Sequence, residues 1–270
     1  MHKAEIEILT KNGRKLYTKM HFAPSNWQEV TRADLFVLAK TLSAQNIAIQ
    51  IAKHLLAITL YAIPQYILKF IPESRLYNLT HSIQFLTEKN ELQNWLIPYI
   101  WFGFRKYYGP KKRISNLTVE EFTLCEFCYE QLAIEARLEK KQEYLNTLVA
   151  ILYRPYRWFN ILDDVRANLT TNGYEKRAAQ FSTLPSVTKW AIYLNYEGCR
   201  NFLIKRHPEV FKKGEQSGAP SSKITPWSKI VESAAGGKFG TLQTTEKVNI
   251  YKFLSELSER IKEARELKAS

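Results

Sequence analysis

The order of hydrophobic and polar residues changes along the chain from a strand pattern to a helix pattern. Alternation within residues 4–20, around Asn12-Gly13, predicts a β-hairpin, because this dipeptide supplies the positive φ angles of a tight turn. A lone two-stranded hairpin is marginally stable in water. We therefore expect it to pack on the rest of the chain or to add to a sheet in another subunit.

After the hairpin, apolar residues recur at helical spacing and prolines interrupt the pattern. Thr118 followed by Glu121 matches a capping box, in which each side chain accepts a hydrogen bond from a backbone amide at the helix start. The expected helices span roughly residues 32–42, 46–63, 65–71, 73–88, 91–104, 119–138, 142–153, 185–206, 225–236 and 245–267. The predicted fold class is mainly α, a multi-helix globular domain with a small N-terminal β-hairpin.

Changes in composition suggest four segments. We expect the hairpin over residues 1–24 and the main helical domain over 25–211. Residues 212–223 are small and polar and lack apolar anchors, which is typical of a flexible linker. Residues 224–270 are expected to form C-terminal helices that dock on the body or on a partner.

The most apolar stretch lies within residues 47–71. Its uninterrupted part, residues 55–63, is about half of the roughly 20 residues that cross a bilayer, so we predict a buried core helix. The N-terminal residues show no apolar core of a signal peptide. Three cysteines are too few to staple 270 residues. We expect a protein that is cytoplasmic on synthesis and does not insert into a membrane.

The net charge of the chain indicates which kinds of molecule it would attract. The chain has 39 Lys and Arg residues against 26 Asp and Glu residues, a net charge of +13. Such an excess attracts phosphates, anionic lipids or an acidic protein surface.

A basic and aromatic segment at residues 101–113 is the candidate site for nucleic acid. Five of the nine residues from Arg105 to Arg113 are cations that would neutralise phosphates, and neighbouring rings would stack on unpaired bases. The alternative is a solvated turn whose aromatic side chains belong to the core. The candidate contacts are Arg105, Lys106, Tyr107, Tyr108, Lys111, Lys112 and Arg113.

The sequence gives little indication of a catalytic site or a metal-binding site. Cys125 and Cys128 form a CxxC, but no second CxxC and no HxxxH pair supplies further zinc ligands, so we expect buried structural thiols. The adjacent acids Asp163 and Asp164, near Arg166, do not by themselves indicate a catalytic pair. We predict a protein that is not an enzyme, with no catalytic, cofactor-binding or metal-binding residues and no small-molecule substrate.

Two terminal elements carry hydrophobic residues that we predict to bind a partner, since aromatic and aliphatic anchors are favoured at interfaces. They are Ile6, Ile8 and Leu16 in the hairpin, and Tyr251, Leu254, Leu257 and Ile261 on one stripe of the last helix.

Four short landmarks, at residues 26–31, 107–110, 116–122 and 148–155, give the chain a resemblance to a family of proteins from phages and prophage-like clusters of Bacteroidota. The resemblance covers about residues 5–155. It implies a tail-associated or virion-associated role and supplies no catalytic residues.

These observations lead to two hypotheses. The first is a non-enzymatic structural or assembly protein of a phage or phage-like particle, which contacts other particle subunits or itself as a homo-oligomer. It is either built into the particle or escorts its assembly. The alternative is a nucleic-acid-binding protein that uses the segment 101–113.

Overall fold

A computed structural model of the chain describes residues 1–9, 12–43, 49–158, 164–211 and 227–269. Helices make up most of this part, and a two-stranded antiparallel sheet forms its N-terminus. The predicted fold class, mainly α with a small N-terminal hairpin, is therefore confirmed. The predicted linker at 212–223 lies outside the described residues.

The elements of the described residues range from a strand of two residues to a helix of 21 residues. The strands are β1 (His2–Leu9), β2 (Lys15–Ala23), β3 (Tyr99–Phe102), β4 (Arg105–Tyr108) and β5 (Arg154–Pro155). The α-helices are α1 (Arg32–Ser43), α2 (Ile49–Leu60), α3 (Glu73–Ser82), α4 (Val119–Ile134), α5 (Leu138–Leu152), α6 (Thr171–Phe181), α7 (Ser186–Arg206), α8 (Pro208–Phe211), α9 (Trp227–Ala234), α10 (Leu242–Glu246) and α11 (Ile250–Ala269). Short 3₁₀ helices span Gln65–Phe70, Gln84–Thr87, Lys112–Ile114 and Gly237–Phe239.

The chain divides into two compact units. Unit 1 comprises Met1–Leu96 and Pro185–Gly198, and unit 2 comprises Ile97–Leu184 and Cys199–Ser270. The hairpin thus shares a unit with α1 to α3, and the C-terminal helices share a unit with α4 to α6. The domain boundaries expected after residues 24 and 211 do not coincide with this division.

The N-terminal hairpin packs on its own unit. β1 and β2 pair antiparallel, and the Arg75 guanidinium of α3 donates a hydrogen bond to the carbonyl of Glu5. His21 Nδ1 lies 2.7 Å from the carbonyl oxygen of Tyr61, which follows α2. Of the two expectations for this hairpin, packing on the rest of the chain is the one observed.

Three of the residues predicted to bind a partner are instead core residues. Ile6 is 1% exposed and Ile8 is 6% exposed, because the hairpin covers the helical part of unit 1. Leu254 is fully buried, because the first half of α11 docks on unit 2. These side chains are already covered within their own units, so their proposed role as partner contacts is corrected.

The other four predicted partner residues keep some exposure. Leu16 is 53% exposed, and Leu257 and Ile261 are partly exposed. Tyr251 is half-buried, and its hydroxyl donates a hydrogen bond of 2.7 Å to the carbonyl of Arg113.

The helix predicted over residues 91–104 is wrong. Up to Leu96 the segment has no regular structure, because the buried side chain of Asn195 takes its backbone hydrogen bonds. The amide group of Asn195 accepts from the Leu96 N–H and donates to the Asn94 carbonyl, each at 2.7 Å. Pro98 cannot donate a helical hydrogen bond, and strands follow it.

The apolar stretch tested as a membrane span forms a short amphipathic helix. α2 buries Leu56, Ala57 and Leu60 and exposes Ile51 and Leu55. Among the described residues, no helix combines the length and the hydrophobicity that crossing a bilayer requires.

Unit 2 has a core formed by α4, α5 and α6. Phe122, Leu148 and Phe181 come from these three helices and are all fully buried. The C-terminal segment is tied to the start of α4 by a hydrogen bond of 2.9 Å from the Val119 N–H to the carbonyl of Val248. This core supports the sheet described next.

Candidate nucleic-acid interface

β3 and β4 form a hairpin closed by Gly103 and Phe104. Aromatic and β-branched residues favour strands, and Tyr-Ile-Trp-Phe in β3 fits that preference. Gly103 has a φ of 57°, a left-handed conformation that glycine adopts without the steric cost of a Cβ atom. The segment predicted as a basic aromatic loop is therefore largely an ordered β-hairpin.

The inner face of this hairpin packs on α6. Ile100 and Tyr107 lie opposite each other and are both buried. The ring of Phe181 meets the rings of Phe102 and Tyr107 edge to face, with centroids 5.4 Å and 5.1 Å apart. These contacts fix which side of the sheet faces the core.

The remaining side chains of β3 and β4 alternate with the inner ones and lie on the outer face of the sheet. Tyr99 lies opposite Tyr108, and Trp101 lies opposite Lys106, so these four side chains share one side of the sheet. Trp101 is 61% exposed. Phe104 at the turn is fully exposed.

β5 extends this outer face. It pairs antiparallel with β4, and the Tyr156 ring that follows it lies 5.8 Å from the ring of Tyr108. Trp158 meets Tyr156 edge to face at 6.0 Å and is 85% exposed. We call the set Tyr99, Trp101, Lys106, Tyr108, Tyr156 and Trp158 the aromatic face.

The charge around the aromatic face is positive. The Lys106 ammonium lies 3.8 Å from the ring centroid of Tyr99 and 5.1 Å from that of Tyr108, within the range of cation–π attraction. Residues 92–119 and 146–162 contain no Asp or Glu. Lys111 and Lys112, which follow β4, are exposed. An anionic polymer would meet cations and no carboxylate on these segments.

A buried cluster of four charged side chains holds β5 in place. The Glu121 carboxylate lies 2.8 Å from the Arg154 guanidinium and 3.0 Å from that of Arg166. Asp164 lies 2.8 Å from Arg166 and 3.6 Å from Arg154. Two cations and two anions balance, as buried charges require. We call these four residues the ion cluster.

Glu121 therefore has a different role from the one predicted. Thr118 Oγ1 does accept the Glu121 N–H at 3.2 Å, so half of the capping box is present. The Glu121 carboxylate, however, binds Arg154 and Arg166 in the interior.

The pKa directions within the ion cluster follow from burial and pairing. Burial lowers the pKa of Arg154, and the charges of Glu121 and Asp164 only partly oppose this. Burial alone would raise the pKa of Asp164, but the hydrogen bonds and charge of Arg166 outweigh it and hold the pKa below its usual value. Asp164 is thus an anion at neutral pH, and both arginines remain charged because guanidinium groups do not lose their proton in proteins.

Backbone hydrogen bonds connect the residues next to the ion cluster to those around Tyr156 in the aromatic face. Arg166 pairs with Tyr156 in an isolated β-bridge. The Arg157 N–H donates to the carbonyl of Val165 at 2.9 Å, and the Ala167 N–H donates to that of Pro155 at 2.8 Å. The residues around Tyr156 are thereby fixed on both sides. Asp163, the second acid of the pair noted in the sequence, lies outside the described residues.

Six of the seven predicted nucleic-acid contacts keep exposed or partly exposed side chains: Arg105, Lys106, Tyr108, Lys111, Lys112 and Arg113. The guanidinium carbon of Arg113 lies 4.4 Å from the ring centroid of Phe202. The structure corrects the seventh, because Tyr107 is 6% exposed and packs on Phe181.

The sequence prediction missed Tyr99, Tyr156 and Trp158. Tyr99 was assigned to a helix, and Tyr156 and Trp158 lie far from the hairpin in sequence. The available signal was the run Tyr99-Ile100-Trp101-Phe102 before Gly103, because a short aromatic and apolar run followed by glycine fits a strand and turn as well as a helix.

The three cysteines are buried thiols. Burial raises the pKa of Cys125 well above its usual value and that of Cys128 and Cys199 to about 12. These thiols are protonated at neutral pH and are therefore poor nucleophiles. The prediction that Cys125 and Cys128 are buried thiols is confirmed.

Within the described ranges, no group of three or more His, Cys, Asp or Glu side chains is placed to hold a metal ion. Comparison with known proteins yields no matching family model, no matching curated protein and no matching solved structure.

Proposed function

We propose that this protein binds single-stranded nucleic acid through the aromatic face, without catalysing a reaction. The observation that carries the proposal is the aromatic face, where Trp101 and Trp158 are 61% and 85% exposed and the Lys106 ammonium lies 3.8 Å from the ring centroid of Tyr99. Exposed aromatic rings on a small sheet are a recurrent platform for unpaired bases.

The aromatic rings and the cations of this surface would bind different parts of a nucleic acid. Each ring that stacks on a base contributes about 1–3 kcal/mol of binding free energy. Lys106, Lys111 and Lys112 supply charge for the phosphates that connect the bases. In a duplex the base faces are covered by their neighbours, so we expect a preference for single strands.

Fluorescence anisotropy of a labelled oligothymidine tests the proposal. We expect the logarithm of the binding constant to fall linearly with log[salt]. The triple replacement of Lys106, Lys111 and Lys112 by Gln should reduce the magnitude of this slope by about 2, because each single-strand phosphate contact contributes about 0.7. The control is the triple replacement by Gln of three exposed lysines of unit 2, namely Lys176, Lys229 and Lys252.

Equal loss in the test and control variants would mean that only net charge matters and would contradict the proposal. Tighter binding of the duplex than of the single strand would contradict the stacking platform.

A second candidate is the particle-assembly role that the resemblance implies. It is supported by the outer face of β2, where Leu16, Met20 and Phe22 are 53%, 42% and 46% exposed on one side of the hairpin. Exposed apolar side chains on a sheet with unpaired edges favour contact with another protein. If no nucleic-acid probe binds, this role as a subunit of a phage-like particle becomes the better explanation.

A further inference from the structure

A cavity of about 220 Å³ lies in unit 1 and is lined by residues of α2 and α3 and by the 3₁₀ helix that follows α3. Leu56 and Ile83 are its buried apolar lining residues, 7% and 3% exposed. It has no part in the aromatic face, which belongs to unit 2.

The lining of this cavity is basic. Lys53 and His54 from α2 and His81 from α3 all contribute to it, and its described lining residues include no Asp or Glu. Among the described residues, neither Lys53 nor His54 has a hydrogen bond or an ion pair. Their donors are therefore available to a ligand.

The residues that α3 contributes to the cavity have defined contacts of their own. Tyr77 and His81 lie one helical turn apart on α3, and their ring planes are within 4° of parallel at a centroid distance of 6.4 Å. The hydroxyl of Thr80 already donates to the carbonyl of Leu76, at 2.9 Å, and so cannot serve as a donor. The ammonium of Lys53, the imidazole N–H groups and the amide of Gln84 remain as donors.

Size and charge define the ligand class. Pockets for drug-sized molecules have volumes of roughly 300–1,000 Å³, so this cavity fits a smaller molecule or one group of it. A metal cation would be repelled by the Lys53 ammonium, whereas an anion gains charge-assisted hydrogen bonds. We propose that this cavity binds a phosphate group, either as inorganic phosphate or at the end of a small phosphate monoester.

Isothermal titration of the full chain with inorganic phosphate tests this site. We expect saturable binding that weakens at least tenfold in Lys53→Gln, because the strongest charge-assisted donor is lost. His81→Gln provides a second variant that should also weaken binding. Lys69→Gln is the matched control, since Lys69 is an exposed lysine of the same unit that does not line the cavity.

A parallel titration with glycerol phosphate separates the two sources: the tighter ligand identifies whether the free anion or the monoester is preferred. Absence of saturable binding of both probes would overturn the proposal. An equal effect of Lys69→Gln and Lys53→Gln would also overturn it, because the phosphate would then respond only to the net charge.

Discussion

Replacing Trp101 and Trp158 together by alanine is expected to weaken oligothymidine binding by about thirtyfold or more. Each stacked base contributes about 1–3 kcal/mol, and the effects add if the two rings bind different bases. The fold should be unaffected, because the two side chains are 61% and 85% exposed. Anisotropy titrations at fixed salt measure the affinity, and thermal unfolding checks the stability.

Phe127→Ala is the matched control for this pair. Phe127 is 53% exposed on α4 and contacts only one further ring, that of Tyr144 at 6.0 Å, among the aromatic pairs of the described residues. It should bind oligothymidine like the unaltered protein. If the tryptophan double variant also kept full affinity, stacking on the aromatic face would be excluded.

Replacing Glu121 by alanine is expected to lower the free energy of unfolding by about 3–5 kcal/mol. The side chain is 5% exposed, and its loss leaves Arg154 and Arg166 buried with only Asp164 as counter-charge. Removing one partner of a buried ion pair is costly because the remaining charge is neither hydrated nor paired. Urea unfolding followed by circular dichroism measures the change.

Glu143→Ala is the comparison for Glu121→Ala. Glu143 pairs at 2.6 Å with Lys140 on the surface of α5, and both side chains are exposed. Surface pairs of this kind contribute little to stability. We expect no measurable change in the urea midpoint for Glu143→Ala, and a similar small effect for Glu121→Ala would show that the ion cluster does not stabilise unit 2.

Local signals in the sequence predicted the elements that depend on local interactions. Asn12-Gly13 marked the N-terminal hairpin, and Thr118 marked the start of α4, because a turn and a cap are decided by a few adjacent residues. The β3–β4 hairpin was missed because distant residues decide it. Asn195 takes the backbone hydrogen bonds before it, and Phe181 packs under its inner face.

The candidate site was predictable in composition but not in geometry. The cations of residues 105–113 were visible in the sequence, whereas the pairing of β4 with β5 brings in Tyr156 from a distant part of the chain. The ion cluster joins Glu121 to Arg166, 45 residues later. No local pattern in a single sequence indicates such a contact. In the sequence, Glu121 instead matches a capping box with Thr118, three residues earlier.

Photo-crosslinking tests the central claim most directly. An oligonucleotide that carries 5-iodouracil at successive positions is irradiated with the full chain, and the modified residues are located by mass spectrometry. If unpaired bases stack on the aromatic face, adducts form on Trp101, Tyr108, Tyr156 or Trp158. Adducts confined to other parts of the chain, or none at binding saturation, would contradict it.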